Sequence, residues 1–222
     1  MAIFNGRLPV IDEKEVRRYA GLQRAEDFPE QYVKEACLEV QLEAVPRGIY
    51  REYAYDAATG TIQSDPPLVV EGSSIRKHLA SSVRVAVMGV TIGEGVERRS
   101  AALFKDGNYT VGLLVDAAAT TAVEQVADQI NDLIVKAAAA GGYTTTWRFS
   151  PGYGNWPLDV QPALAAIIGA EEIGLTVTDT CMLFPRKSVT AIIGYMPGSA
   201  TLQTKRGCTS CGQRDCPSRK KP

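Results

Sequence analysis

Histidine is the scarcest informative residue here: one, His78, in a chain of 222. A single imidazole cannot build a histidine-rich metal centre, and no Ser/His/Asp relay can be assembled around it with neighbours of the right type. In SSIRKHLA it reads as part of a short amphipathic helix. Charge of one sign is lacking too. Twenty-four Lys and Arg stand against 25 Asp and Glu, for a net charge of -1 and a pI of about 5.9. That balance excludes polyanion or nucleic-acid binding by the chain as a whole. No apolar run reaches the roughly 20 residues that cross a bilayer. The opening MAIFNGRLPVIDEKE lacks the apolar centre and cleavage site of a secretory signal. The expectation is a cytoplasmic protein with reduced thiols and no nucleic-acid or membrane partner. No G-x-G-x-x-G follows a strand, no Walker motif is present, and no internal repeat is evident, so Rossmann, P-loop and solenoid readings are unsupported.

What is present is a well-cored chain, 45% hydrophobic and 22% charged, long enough for one large domain or two small ones. Asp12 and Glu15 have capping-box spacing before a short helix that Gly21 would stop. A second helix after Pro29 carries Val33, Ala36, Cys37 and Val40 on one face, up to Pro46. Ile49–Asp56 and Val83–Gly93 read as strands, as does NYTVGLLVDA over Asn108–Ala117. An alanine-rich helix is expected from about Thr120 to Ala139. TTTWR reads as a strand, and Asp159 or Gln161 as the cap of a helix with Pro162 in its first turn and Gly174 at its end. LTVTDTCMLF and SVTAIIGY are strand-like. This mixture lacks a βαβα rhythm and predicts an α+β fold with a largely antiparallel twisted sheet and flanking helices. Three segments follow: helical residues 1–48, an α+β core over 49–200, and a cysteine-containing tail, 201–222.

Three constellations point to chemistry. In RFSPGYGNW, Arg148 ends a strand before a Ser150-Pro151-Gly152 corner, and Tyr153 follows. The guanidinium suits a carboxylate, and the phenol can offer a hydroxyl or a stacking face. A plain strand-to-loop turn with a surface arginine remains the alternative. Glu124, with Asp128 and Asp132 at i+4 and i+8, lies at the margin of an apolar helix stripe, where it can meet a cation or simply face solvent. Separately, CTSCGQRDCP sets Cys208, Cys211 and Cys216 within nine residues. These are candidate thiolate ligands for zinc or an iron–sulfur cluster, with Cys181 or Cys37 as a possible fourth. The alternative is a tail with free thiols.

RFSPGY resembles the R-x-x-P-G-Y motif of the activation domain of cobalamin-dependent methionine synthase, which binds S-adenosylmethionine. The likeness continues through VAVMGVTIGEGVERR, LLVDAAATTAVEQVADQI and IGLTVTDTCMLFPRKSV, roughly residues 80 to 197. It implies an activation-domain-like fold. It also implies that Arg148, Tyr153 and the backbone of Phe149, Ser150, Pro151 and Gly152 contact the ligand, with Glu124 near its cationic part. The family's later Tyr-Phe pair falls at Ile193-Gly194, and its first-helix aspartate has no counterpart near Tyr19-Ala20-Gly21. The implied role is accessory rather than that of a complete enzyme. A short free-standing form would support reductive methylation of oxidised cobalamin on a separate methionine synthase or corrinoid protein. Flavodoxin or ferredoxin would be the electron donor. A metal- or iron–sulfur-tailed redox partner of a corrinoid methyltransferase is the alternative.

Overall fold

The computed structural model describes residues 3–198. Its centre is a seven-stranded sheet whose pairings are all antiparallel. β2 (Arg47–Asp56), β5 (Arg84–Thr91) and β9 (Ser188–Pro197) form the long middle. Beyond β2 lie β3 (Thr61–Ile62) and β4 (Leu68–Val69), while β1 (Phe4–Asn5) pairs with the start of β2. The other edge is β6 (Tyr143–Thr145), paired to the end of β9. The predicted fold class is what the structure has.

Strand alternation divides the core in two. From β5, Ala86, Met88 and Val90 face one cluster, and Val85 and Val87 face the other. The first cluster is covered by α1 (Glu13–Tyr19), α2 (Glu30–Glu43), α4 (Gly95–Lys105) and the 32-residue α5 (Tyr109–Ala140). The second is covered by α3 (Ser73–His78), α6 (Gln161–Ile168) and two 3-10 turns, Leu158–Val160 and Ala170–Ile173. A small hairpin, β7 (Thr176–Val177) with β8 (Leu183–Phe184), stands apart from the main sheet.

Local signals acted where the sequence placed them. Asp12 caps α1, accepting from the Lys14 and Glu15 backbone N–H groups. Val33, Ala36, Cys37 and Val40 are the buried face of α2.

Four readings change. Asn108–Ala117 is not a strand. It supplies the first turns of α5, which therefore starts eleven residues before Thr120. Gly112, Val115 and Ala119 are buried there at helical spacing, Gly112 against the Phe104 ring of α4, so tertiary packing overrides the β-propensity of Tyr, Val and Leu. Neither Asp159 nor Gln161 caps α6; the N-cap is Val160, which makes no side-chain bond. α6 ends at Gly169 (φ 70°), and Gly174 (φ 76°) ends the 3-10 turn after it. LTVTDTCMLF holds only the two short strands of the β7–β8 hairpin, with a turn closed by Cys181 N–H to Thr178 O (2.8 Å).

Candidate functional site

The nonapeptide leaves the sheet at the β6 edge. Past Thr145, the chain keeps contact with β9. The Thr146 N–H donates to Gly194 O, and Phe149 exchanges two 2.9 Å bonds with Ile192. This extended stretch keeps the two-residue alternation, which decides where each side chain goes. Trp147 and Phe149 turn to the face covered by α3 and α6. Arg148 turns the other way, over α5.

There it meets the two carboxylates one helical turn apart. Arg148 Nη2 lies 2.6 Å from Glu124 Oε2, and Nη1 bonds Asp128 Oδ1. The arginine side chain is 21% exposed, against 38% for Glu124 and 63% for Asp128. Burial alone would lower the guanidinium's pKa. The two carboxylates outweigh it, and the net direction is upward. Structure thus brings Arg148 and Glu124 together, with Asp128 as a third member. Arg148 is not an unengaged cation: the protein's own carboxylates hold it. Asp132, grouped with these two acids in the sequence, is exposed.

The corner itself is a compact turn. Tyr153 N–H donates to Ser150 O (3.2 Å), Gly152 N–H to Trp156 O (2.8 Å) and Trp156 N–H to Tyr153 O (3.1 Å). Gly152 has φ 86° and Gly154 φ 58°, in the left-handed region. Pro151 is buried and Ser150 half-buried. The Tyr153 ring stands edge-on to Phe149, with centroids 5.9 Å apart, and 54% of the residue is exposed. Trp156 anchors the loop's far end at 1% exposure.

Three residues of this neighbourhood were not singled out from sequence: Trp147, Asn155 and Asp128 as a partner of Arg148. His78, set aside there, sits among them. Its Nε2 lies 2.8 Å from the Trp147 carbonyl oxygen, and its ring packs against Trp147 and Phe149 at 4.7 and 5.1 Å. A carbonyl only accepts, so Nε2 carries the proton. The Asp128 pairing was readable as i+4 spacing; its arginine partner was not.

Tyr19, near which the family's aspartate has no counterpart, lies on α1, which packs along α5. Burial pushes the Tyr19 phenol's pKa up, and the Glu124 carboxylate adds to that rise. Ile193 and Gly194 are buried within β9. A shallow cleft of about 520 Å³ opens between Val10–Lys14 and Gln125, next to Glu124 in sequence. No residue from 148 to 153 lines it. The candidate ligands Cys208, Cys211 and Cys216 lie outside the described residues. Among the described residues no cluster of three or more His, Cys, Asp or Glu is arranged to hold a metal ion. Of their suggested fourth ligands, Cys37 is buried and Cys181 half-buried. No helix among the described residues is long and apolar enough to cross a membrane.

An antiparallel sheet between two helical layers is the fold this chain shares with a solved methionine synthase reactivation domain. A crystal structure of the MetH reactivation domain bound to AdoHcy is similar over 89% of this chain and 72% of that one, with a TM-score of 0.60 and 16% identity. At that identity the likeness is one of fold. No protein-family model matches the chain, and no curated protein does.

Proposed function

We propose that this chain binds S-adenosylmethionine at the Arg148–Tyr153 corner. In this reading it serves as a reactivation subunit for a separate cobalamin-dependent methionine synthase. The observation that carries the reading is the joining of Arg148, Glu124 and Asp128 beside the Pro151-Gly152 turn, on a fold similar to a domain solved with AdoHcy.

The residues suit the ligand's chemistry. S-adenosylmethionine carries a carboxylate, an ammonium and a sulfonium, for a net charge of +1. The triad of one guanidinium and two carboxylates carries a formal charge of -1. An incoming ligand carboxylate takes guanidinium donors now shared with Asp128 and Glu124. The carboxylates so released face the ammonium and sulfonium. Exchange of partners within a preformed ion cluster avoids leaving any charge bare, which is the main cost of opening a part-buried pair. Tyr153, exposed beside the corner, offers a ring face to a flat purine. The main-chain turn at Ser150–Gly152 is bonded internally and needs no ordering on binding.

Cobalamin on the partner would supply the methyl-accepting metal centre, reduced by an electron from a flavodoxin- or ferredoxin-type donor. This chain would hold the methyl donor in position and supply the surface that approaches the corrinoid. In this reading residues 49–200 form the ligand-binding core, residues 1–48 buttress the α5 face, and residues 201–222 are a separate tail.

Calorimetric titration of the purified chain with S-adenosylmethionine tests the reading. A saturable binding heat, abolished in Arg148→Ala, is expected. No heat at millimolar ligand overturns it.

A further inference from the structure

The structure assigns to His78, with Asn155 opposite, a positioning role: α3 is a brace that fixes the RFSPGYGNW corner from the sheet face remote from α5. This rests on the reading of the corner as a ligand site, and it names the residues that hold the site in shape. One end of the brace is the His78 Nε2–H bond to the Trp147 carbonyl, one residue before Arg148. The other end is a reciprocal clamp. Asn155 Oδ1 accepts from the Ser74 N–H at 2.8 Å, and Asn155 Nδ2 donates to Ser73 Oγ at 2.8 Å.

The two attachments bracket the nonapeptide almost completely, from Trp147 to Asn155. Between them the packing is tight. A Cβ on Gly154 would come within 2.6 Å of the Ser74 Cβ, and one on Gly72 within 2.9 Å of the Asn155 carbonyl oxygen. The His78 ring also packs against both Trp147 and Phe149, whose own rings lie 5.2 Å apart. The turn's internal main-chain bonds set its own shape but do not fix how it sits against the rest of the fold. The β9 pairing ends at Phe149–Ile192, so past that point the corner is fixed by its internal bonds, by Trp156 in the core, and by α3. Arg148 reaches across to α5 only if the backbone at Trp147 holds its direction. His78 acts through that carbonyl and touches neither Arg148 nor a ligand.

The test compares His78→Leu, which keeps apolar volume but removes the donor, with His78→Gln, whose Nε2 can reach the same carbonyl. Native-state hydrogen exchange is read at the amides of Phe149, Gly152, Tyr153 and Trp156, alongside AdoHcy titration. Expected is faster exchange in His78→Leu at these amides, with the β5–β9 ladder unchanged, and AdoHcy binding about tenfold weaker. His78→Gln restores both. Exchange in His78→Leu equal to wild type at the four amides overturns the brace. If wild type binds no AdoHcy but His78→Leu still loosens the corner and His78→Gln rescues it, the brace stands and the ligand reading falls. Should His78→Leu not fold, Asn155→Ala severs the opposite clamp from the exposed side. The same four amides must then exchange faster; unchanged rates overturn the proposal.

Discussion

Arg148 and Glu124 are joined at 2.6 Å across the seam between the sheet edge and α5. They are 24 residues apart in sequence, and each is supplied by a different element. Asp128, one turn further along the same helix, takes the other terminal nitrogen. The cluster ties the edge of the sheet to the longest helix, so it bears on stability as well as on any ligand.

Replacing Arg148 by Met should lower stability. The arginine is largely buried, and its loss leaves two like charges one turn apart on α5. Because both acids are partly exposed, the cost is expected at about 1–3 kcal/mol, below that of a fully buried pair. Urea denaturation measures it. A second replacement, Glu124→Gln, should cost less on its own, and the double variant should cost less than the sum.

Charge complementarity separates two ligands. S-adenosylmethionine has the sulfonium charge that AdoHcy lacks. Glu124→Gln should therefore weaken S-adenosylmethionine more than AdoHcy, and raised salt should narrow the difference. Calorimetry with both ligands at two salt concentrations checks this. Equal losses for the two would place Glu124 away from the sulfonium.

His78 gives the chain a clean pH signature, because it is the only histidine. Burial lowers its pKa below the ordinary 6.5, only partly offset by the bond to Trp147. The unfolded state thus takes up a proton at higher pH than the folded state. Stability from this residue is complete above pH 6.5 and is lost as the pH falls through the folded pKa. The lowered carboxyl pKa of Glu39, held by Arg99, adds a separate loss in the more acidic range below its ordinary 4.5. In His78→Gln the decline just below pH 6.5 should vanish, while the lower one persists. Thermal melts across the range, with an imidazole NMR titration of wild type, measure both.

Thiol chemistry should discriminate between the described cysteines. Burial first, then the Glu13 and Asp12 carboxylates, push the Cys37 thiol up to about 11. At pH 8 native Cys37 should resist iodoacetamide for as long as the fold persists. Cys181, half-buried in a turn, should be alkylated first of these two. Peptide mapping after timed labelling reads the order directly.

Gly154→Ala should disturb the corner. The φ of 58° disfavours an L side chain, and the added methyl would meet Ser74. A loss of about 1–3 kcal/mol in stability is expected, with the Asn155 clamp to α3 weakened.

Much of the architecture was legible in the sequence because the local signals were unambiguous. Asp12 capped where its spacing said, the buried face of α2 matched its apolar period, and β2, β5 and β9 read as strands. Asn108–Ala117 was misread because Tyr, Val and Leu favour strands in isolation. Tertiary packing, with Gly112 against Phe104 of α4 and Val115 and Ala119 in the core, makes that stretch helical. The corner was visible as a surplus of Arg and Tyr around Pro-Gly. Its surroundings were not.

By itself the sequence determined the α+β class, the long strands β2, β5 and β9 with the buried face of α2, and a Pro-Gly corner flanked by a cation and a phenol. These depend on interactions a few residues apart, which spacing encodes. Tertiary structure alone decided that Arg148 pairs with Glu124 and Asp128, and that His78 and Asn155 hold the corner from the other face. Those partners lie 20 to 82 residues apart. Their meeting follows from strand alternation at the β6 edge and from the packing of α3 and α5 on opposite faces of one sheet, which no local pattern specifies.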